Sequence, residues 1–335
     1  MPKRSNSVAR GFLVLGAVVA GSWLLNRAAV ETLNPYVYRV LVLCAVNVVL
    51  ALSLNLVNGI TGQFSIGHAG FMAVGAYVSA AFTFYATPRL FGVASEAGIA
   101  VAAGPFILAL LLGGAVSGLM GFLVGLPSMR LRGDYLAIVT LGFGEIIRVA
   151  ILNIDAVGGA RGFAGIPQRT DLAWAAAVAV LTYVFLRNLV RSYHGRALLA
   201  IREDEIAAEA LGVPTTRYKV SAFVVAAFFA GVAGGLFSHY TYLHTNTFTF
   251  MKSIEVIVMV VLGGMGSLVG SVLGAFILTA LPEVLRFASA DRLIIYSLLL
   301  VILMISRPQG ILGSREIDWG RFIGRGRRPR PEKAS

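Results

Sequence analysis

Between Arg39 and Arg89 lie 49 residues without a single Asp, Glu, Lys or Arg. A helix in water keeps a wet face, so a soluble domain breaks its apolar stretches with charge every turn or two. Comparable gaps run from Glu96 to Arg130, from Lys219 to Lys252 and from Glu255 to Glu283. About 20 apolar residues cross a bilayer, so these stretches predict membrane spans. Only 13% of the chain is charged against 57% hydrophobic, where roughly 25% charge is usual for a soluble domain. That is too little to cover a water-facing surface.

The uncharged runs place spans near 11–29, 36–57, 64–86, 99–126, 134–153, 171–190 and 219–240. Three shorter passes follow near 253–265, 267–286 and 291–307. That makes about ten, with boundaries good to a few residues, and an even number puts both termini on one side. The net charge of +12 alone would suggest nucleic acid or an acidic surface. Its distribution argues otherwise. Nineteen of the 28 basic residues fall at Lys3, Arg4 and Arg10, at Arg130 and Arg132, between Arg187 and Lys219, and beyond Ser306. Placing those four regions in the cytoplasm satisfies the positive-inside rule and implies no nucleic-acid partner.

The fold prediction is an all-α polytopic membrane protein of about ten transmembrane helices, some short or broken, with a cytoplasmic coupling loop. It divides into a cytoplasmic N-terminus (1–10), a transmembrane domain (11–306) carrying the loop at 191–218, and a basic tail (307–335). The tail's Pro, Gly and Arg content predicts disorder and contact with anionic lipid headgroups. Gly11 to Leu25 also reads as a signal peptide cleaved after Ala20, but a retained first helix is the simpler reading. Cys44 is the only cysteine, which leaves no disulfide framework and no thiolate metal cluster; it reads as inert packing.

Helices in lipid gain little from the hydrophobic effect on meeting, so they approach through small residues. Gly113, Ser117, Gly121 and Gly125 recur every fourth residue, as do Gly266, Gly270 and Gly274. Both runs read as packing seams.

The stretch from Asn55 to Gly75 groups Asn55, Asn58, Gln63, Ser65 and His68 with five glycines inside the uncharged run. One helix spanning that run would reach about 74 Å at 1.5 Å per residue, so the chain must turn back near Gly59 to Gly67. Broken backbone at membrane depth is tolerated where protein or a water-filled cavity surrounds it. Either this turn lines a solute path, or its polar groups are satisfied by the adjacent backbone. A second cluster, Gly263, Gly264 and Gly266, lacks the Lys and Ser/Thr of a phosphate-binding loop. Glycine at a break in a discontinuous helix can build a mid-membrane site, and a plain tight turn fits equally. Glu145 and Arg148 share a helix face and read as a structural ion pair near the outer end.

The central loop is rich in helix formers from Arg196 to Leu211, and Gly212 and Pro214 stop that helix. A charged helix held by spans at both ends is a docking surface for another protein.

The runs GQFSIGHAGFMAVGAYVSA, AIREDEIAAEALGVPTTRYKVSAF, VVLGGMGSLVGSVLGAF and RPQGILG together resemble the permease subunits of branched-chain amino-acid importers of the ATP-binding-cassette class, of the LivM type. The likeness extends in order from about Asn47 to Gly313. It implies a subunit of an inner-membrane importer for leucine, isoleucine, valine or a similar small polar solute. Its implied partners are a periplasmic solute-binding protein, a sister permease and two cytoplasmic ATPases that hold the ATP and Mg. In this family an Ala-Ala-x-x-x-Gly loop docks into the ATPase, here Ala207, Ala208 and Gly212 within Arg202, Glu203, Asp204, Glu205 and Glu209. The Glu that opens the motif in many importers is Ile206 in this chain. No GxxxxGK[ST] motif is present, so energy would come from a partner. Urea and short-chain amide permeases resemble the same proteins closely. A self-sufficient ion-coupled carrier is the alternative from another class. A membrane enzyme is weaker, for want of paired carboxylates, a His cluster or a nucleophile beside a base at depth.

Overall fold

The computed structural model describes residues 5–91, 99–128, 131, 133–285, 298, 301–302, 305 and 310–313. Twelve helices follow one another in these residues: α1 (Ser5–Thr32), α2 (Pro35–Asn55), α3 (His68–Ala81), α4 (Thr87–Phe91), α5 (Ile99–Ser128), α6 (Asp134–Leu152), α7 (Leu172–Arg191), α8 (Tyr193–Glu203), α9 (Glu205–Ala210), α10 (Thr215–Ser238), α11 (Phe250–Gly263) and α12 (Leu268–Val284). Among the described residues no strand forms, and a lone antiparallel bridge joins Phe163 to Leu243. Six stretches are long and apolar enough to cross a membrane: Pro35–Ile60, His68–Leu90, Ala103–Ser128, Asp134–Leu152, Leu172–Arg191 and Thr215–Ser238. Most of the expected span at 291–307, together with the tail beyond Gly313, Arg130 and Arg132, lies outside the described residues.

Helix boundaries follow local chemistry. Asn34 accepts from the Tyr36 amide with Pro35 opening α2, and Asp171 accepts from the Trp174 amide to start α7. Side-chain oxygens at these caps satisfy amides that a first turn leaves without partners.

The bundle is built around α3, α5 and α10. Gly75 lies against Gly231 and Ser79 against Gly235, while His239 bonds Thr83, so α3 and α10 run parallel. On α5, Gly113 meets Gly75, Gly121 meets Ala227 and Gly125 meets Phe223, in antiparallel order. A Cβ at Gly75 would run into the Gly231 backbone, so the close approach needs glycine there. The Ser117 hydroxyl lies 2.9 Å from Phe71 O and 2.8 Å from Ala227 O, bracing all three helices with one proton. The predicted seam on α5 is thus the joint of the core.

The second glycine run needs correction. Gly270 and Gly274 pack against Gly263 and Met259 of α11, but Gly266 sits in the preceding turn at φ +88°. The loop is corrected too: Arg196 to Leu211 is two helices rather than one. Asp204 breaks the run at φ −157°, ψ 109° and accepts from the Ile206 and Ala207 amides at 2.9 and 3.0 Å, capping α9. A short acidic side chain that bonds the next turn's amides favours a cap over a helix interior.

Candidate functional site

At the end of the bundle carrying α8 and α9, both glycine-marked breaks meet. Helix α2 passes into a π-turn (Leu56–Ile60), and residues 61–67 then run without helix to the start of α3. Helix α11, 14 residues long, rises only about 21 Å and stops at Gly263. Its cap Gly264 has φ +112°, a conformation that favours glycine. Asn55 ties the two breaks: its side-chain amide donates to Ser267 O at 3.1 Å and its carbonyl accepts from Gly266 N at 2.8 Å. A segment downstream completes the turn, with Ile311 N donating to Leu262 O at 2.9 Å and Leu312 N to Gly263 O at 3.3 Å.

Helix α8 reaches the same point. Arg202 Nη1 donates to Gly59 O at 3.0 Å, and its side chain lies over Gly62 and Gly266. Arg202 also pairs with Glu203 at 2.9 Å. Behind it, Glu205 at the start of α9 forms a 2.6 Å ion pair with Lys219 of α10. The outward side of α9 carries bare apolar groups: Ile206 is 66% and Leu211 85% exposed. Gly212, at φ +83° with open space around it, turns the chain towards α10.

The polar residues of the break divide. Asn58 and Ser65 satisfy each other, Nδ2 to Ser65 O at 3.3 Å and Ser65 N to Oδ1 at 3.2 Å. The His68 ring meets Ser53 Oγ at 2.8 Å. These bonds belong to a self-contained hairpin. Gln63 differs: it is buried, yet among the described residues neither its Oε1 nor its Nε2 has a partner.

The match to the family described as branched-chain amino acid transport system, permease component, covers residues 36–306. The chain belongs to that family. The permease is 35% identical to the high-affinity branched-chain amino acid transport system permease protein LivM of Salmonella typhimurium, over 90% of this chain and 74% of that protein. It is 26% identical to a probable branched-chain amino acid transport permease protein LivM of Methanocaldococcus jannaschii, over 80% and 91%. The LivH permease of Salmonella typhimurium is 29% identical over 80% of this chain and 92% of its own. No solved structure matches.

Three features of the permease escaped the sequence reading. Lys252 of α11 pairs with Glu255 at 3.1 Å and donates to Asn47 Oδ1 at 3.2 Å. Asn47 lies midway along α2 and bonds Thr279 at 2.9 Å, so α11 begins well inside the bundle. The i, i+3 spacing that marks Glu145 and Arg148, paired at 2.7 Å, was the available signal. The second is the Lys219–Glu205 pair. The third, at the opposite end, is Arg169, whose guanidinium is pulled below its ordinary value by burial.

Proposed function

We propose that this permease is a membrane subunit of an ATP-binding-cassette importer that moves leucine, isoleucine and valine across the bacterial inner membrane. The observation carrying the substrate class is the 35% identity to a LivM permease over nine-tenths of the chain. A periplasmic binding protein would deliver the solute, and a sister permease would complete the path. Two cytoplasmic ATPases would hold ATP and Mg, the permease itself binding neither. The basic residues Arg187, Arg191, Arg196, Arg202, Arg217 and Lys219 around α8 and α9 favour that end as cytoplasmic. With α1, α11, α12 and the segment near 291–307 added to the six long apolar stretches, the chain makes about ten passes with both termini inside.

In this reading the ATPase grips α9 through Ile206, Ala207, Leu211 and the Gly212 turn. Motion of that grip passes along α8 to Arg202 and so to the backbone of both breaks, while Lys219 couples α9 to α10. Broken helices change conformation at lower cost than continuous ones because fewer backbone bonds must be exchanged. Gln63 has an amide free to hydrogen-bond a passing zwitterion.

The test is uptake by the reconstituted importer. Leucine should enter liposomes with ATP and both ATPases, and not under an ion gradient without them. Gln63→Leu should assemble normally and lower uptake about tenfold, the loss of roughly 1.4 kcal/mol of solute contact. Uptake by the permease alone under an ion gradient would overturn the importer reading.

A further inference from the structure

The end of the permease away from α8 and α9 holds a buried positive charge with no counter-charge paired to it among the described residues. Arg169 lies in the connection between α6 and α7 and is 6% exposed. Among the described residues neither its Nε nor its Nη1 has a hydrogen-bond partner. The ion pairs among the described residues use Arg148, Arg202, Lys219 and Lys252, and none reaches Arg169.

Its position is nevertheless fixed. The backbone amides of Arg169 and Thr170 both donate to His239 O, at 3.1 and 3.3 Å. The guanidinium is near enough for its charge to act on the His239 ring. That ring has nothing left to offer, since Nε2 meets Thr83 Oγ1 at 2.9 Å and Nδ1 meets Gly235 O at 2.7 Å. The adjacent Thr170 hydroxyl is buried and also without a partner. Phe106 packs on the His239 ring at 5.0 Å and Trp174 on Phe106 at 5.4 Å, so aromatic rings back the histidine beside which the charge lies.

A buried cation without a counter-charge costs several kcal/mol. A guanidinium fork matches a carboxylate in shape as well as charge. With a single cation and a hydroxyl donor, the arrangement balances one negative charge and favours a monocarboxylate over a doubly charged phosphate. We infer that Arg169, with Thr170 beside it, is a binding site for the carboxylate of the transported amino acid, its aliphatic side chain lying towards Phe106. This rests on the transport reading above. The site receives the solute at the end from which it enters, before it reaches the glycine breaks.

The inference is tested with two measurements. In the first, the complete importer in liposomes is assayed for leucine uptake with Arg169→Gln and Arg169→Lys. Uptake should fall at least tenfold in the glutamine variant at equal yield of assembled complex, and the lysine variant should restore much of it. In the second, the permease pair without binding protein is titrated with isovalerate, which has the carboxylate and lacks the amine, and with isoamylamine, which has the reverse. Isovalerate should raise the thermal midpoint of the wild-type pair and isoamylamine should not. Wild-type uptake by the glutamine variant would overturn the site, as would equal shifts by the two probes. Should the glutamine variant fail to assemble, the wild-type titration decides: no isovalerate shift refutes the inference and a selective shift upholds it. A wild-type importer that takes up no leucine would instead refute the transport reading, leaving the isovalerate titration to judge Arg169.

Discussion

Removing the Glu205 carboxylate should loosen the hinge between α9 and α10 more than removing the lysine it holds. Lys219 Nζ sits 2.6 Å from Glu205, with the lysine side chain 6% and the glutamate 25% exposed. Stripping one partner from a buried pair costs about 3–5 kcal/mol because the other charge is left dry. Partial exposure of Glu205 lowers this, so Glu205→Gln should cost about 2–3 kcal/mol. Lys219→Met leaves a carboxylate that can turn to water, and should cost about 1 kcal/mol or less. The double variant should sit near the milder single one, since no stranded charge remains. Amide exchange reads this locally, because the amides of Ala208, Leu211 and Val213 donate to Asp204 O, Ala207 O and Ala208 O respectively. Opening that is 2–3 kcal/mol easier means about 30- to 150-fold faster exchange at these amides. Equal rates in the two single variants, or faster exchange in Lys219→Met, would refute the asymmetry.

Further outcomes follow from the packing. Gly75→Ala should cost about 1–3 kcal/mol by overpacking against Gly231, lowering the thermal midpoint in detergent, whereas Gly142→Ala, with open space around it, should not. Asn55→Ala strands Gly266 N, while Ser267 O keeps its bonds from Ser271, a loss of about 1–3 kcal/mol, visible as faster proteolysis at the 264–266 turn. Gly212→Arg meets no atom within 4 Å but must adopt φ +83°; a strain of about 1–2 kcal/mol should leave the fold intact while co-purification of the ATPases is lost. Cys44, buried among apolar neighbours, should resist maleimide until the protein is unfolded.

Six long apolar spans were legible because lipid imposes a crude rule on sequence: little or no charge for about 20 residues. The turn at Gly59 to Gly67 was legible for the same reason, since length alone forbade one helix. The stop at Gly212 is a local signal, and φ +83° is its physical content. The break at Asp204 was obscured by the helix-forming residues around it, whose summed propensity hid one capping side chain. Arg202 and Lys219 could not be read as ties, because the partners are set by tertiary approach and a loop arginine looks the same whether wet or anchored. Arg169 was hidden likewise: it lies in a loop, and only its burial separates it from a solvated charge. Among the candidate path residues, the sequence grouped Asn55, Asn58, Gln63, Ser65 and His68 in one stretch, with only His68 leaning towards a structural role. The hydrogen bonds separate them, satisfying Asn58 and His68 and leaving Gln63 open.

The cap on α11 comes from far along the chain. The Leu262 and Gly263 carbonyls gain their capping bonds only once Ile311 and Leu312 have arrived, so the turn that meets Arg202 is completed after those residues have left the ribosome. Biogenesis is thereby ordered. The end proposed to engage the motor is finished last, which would keep a half-made chain from recruiting ATPases to a bundle unable to move anything.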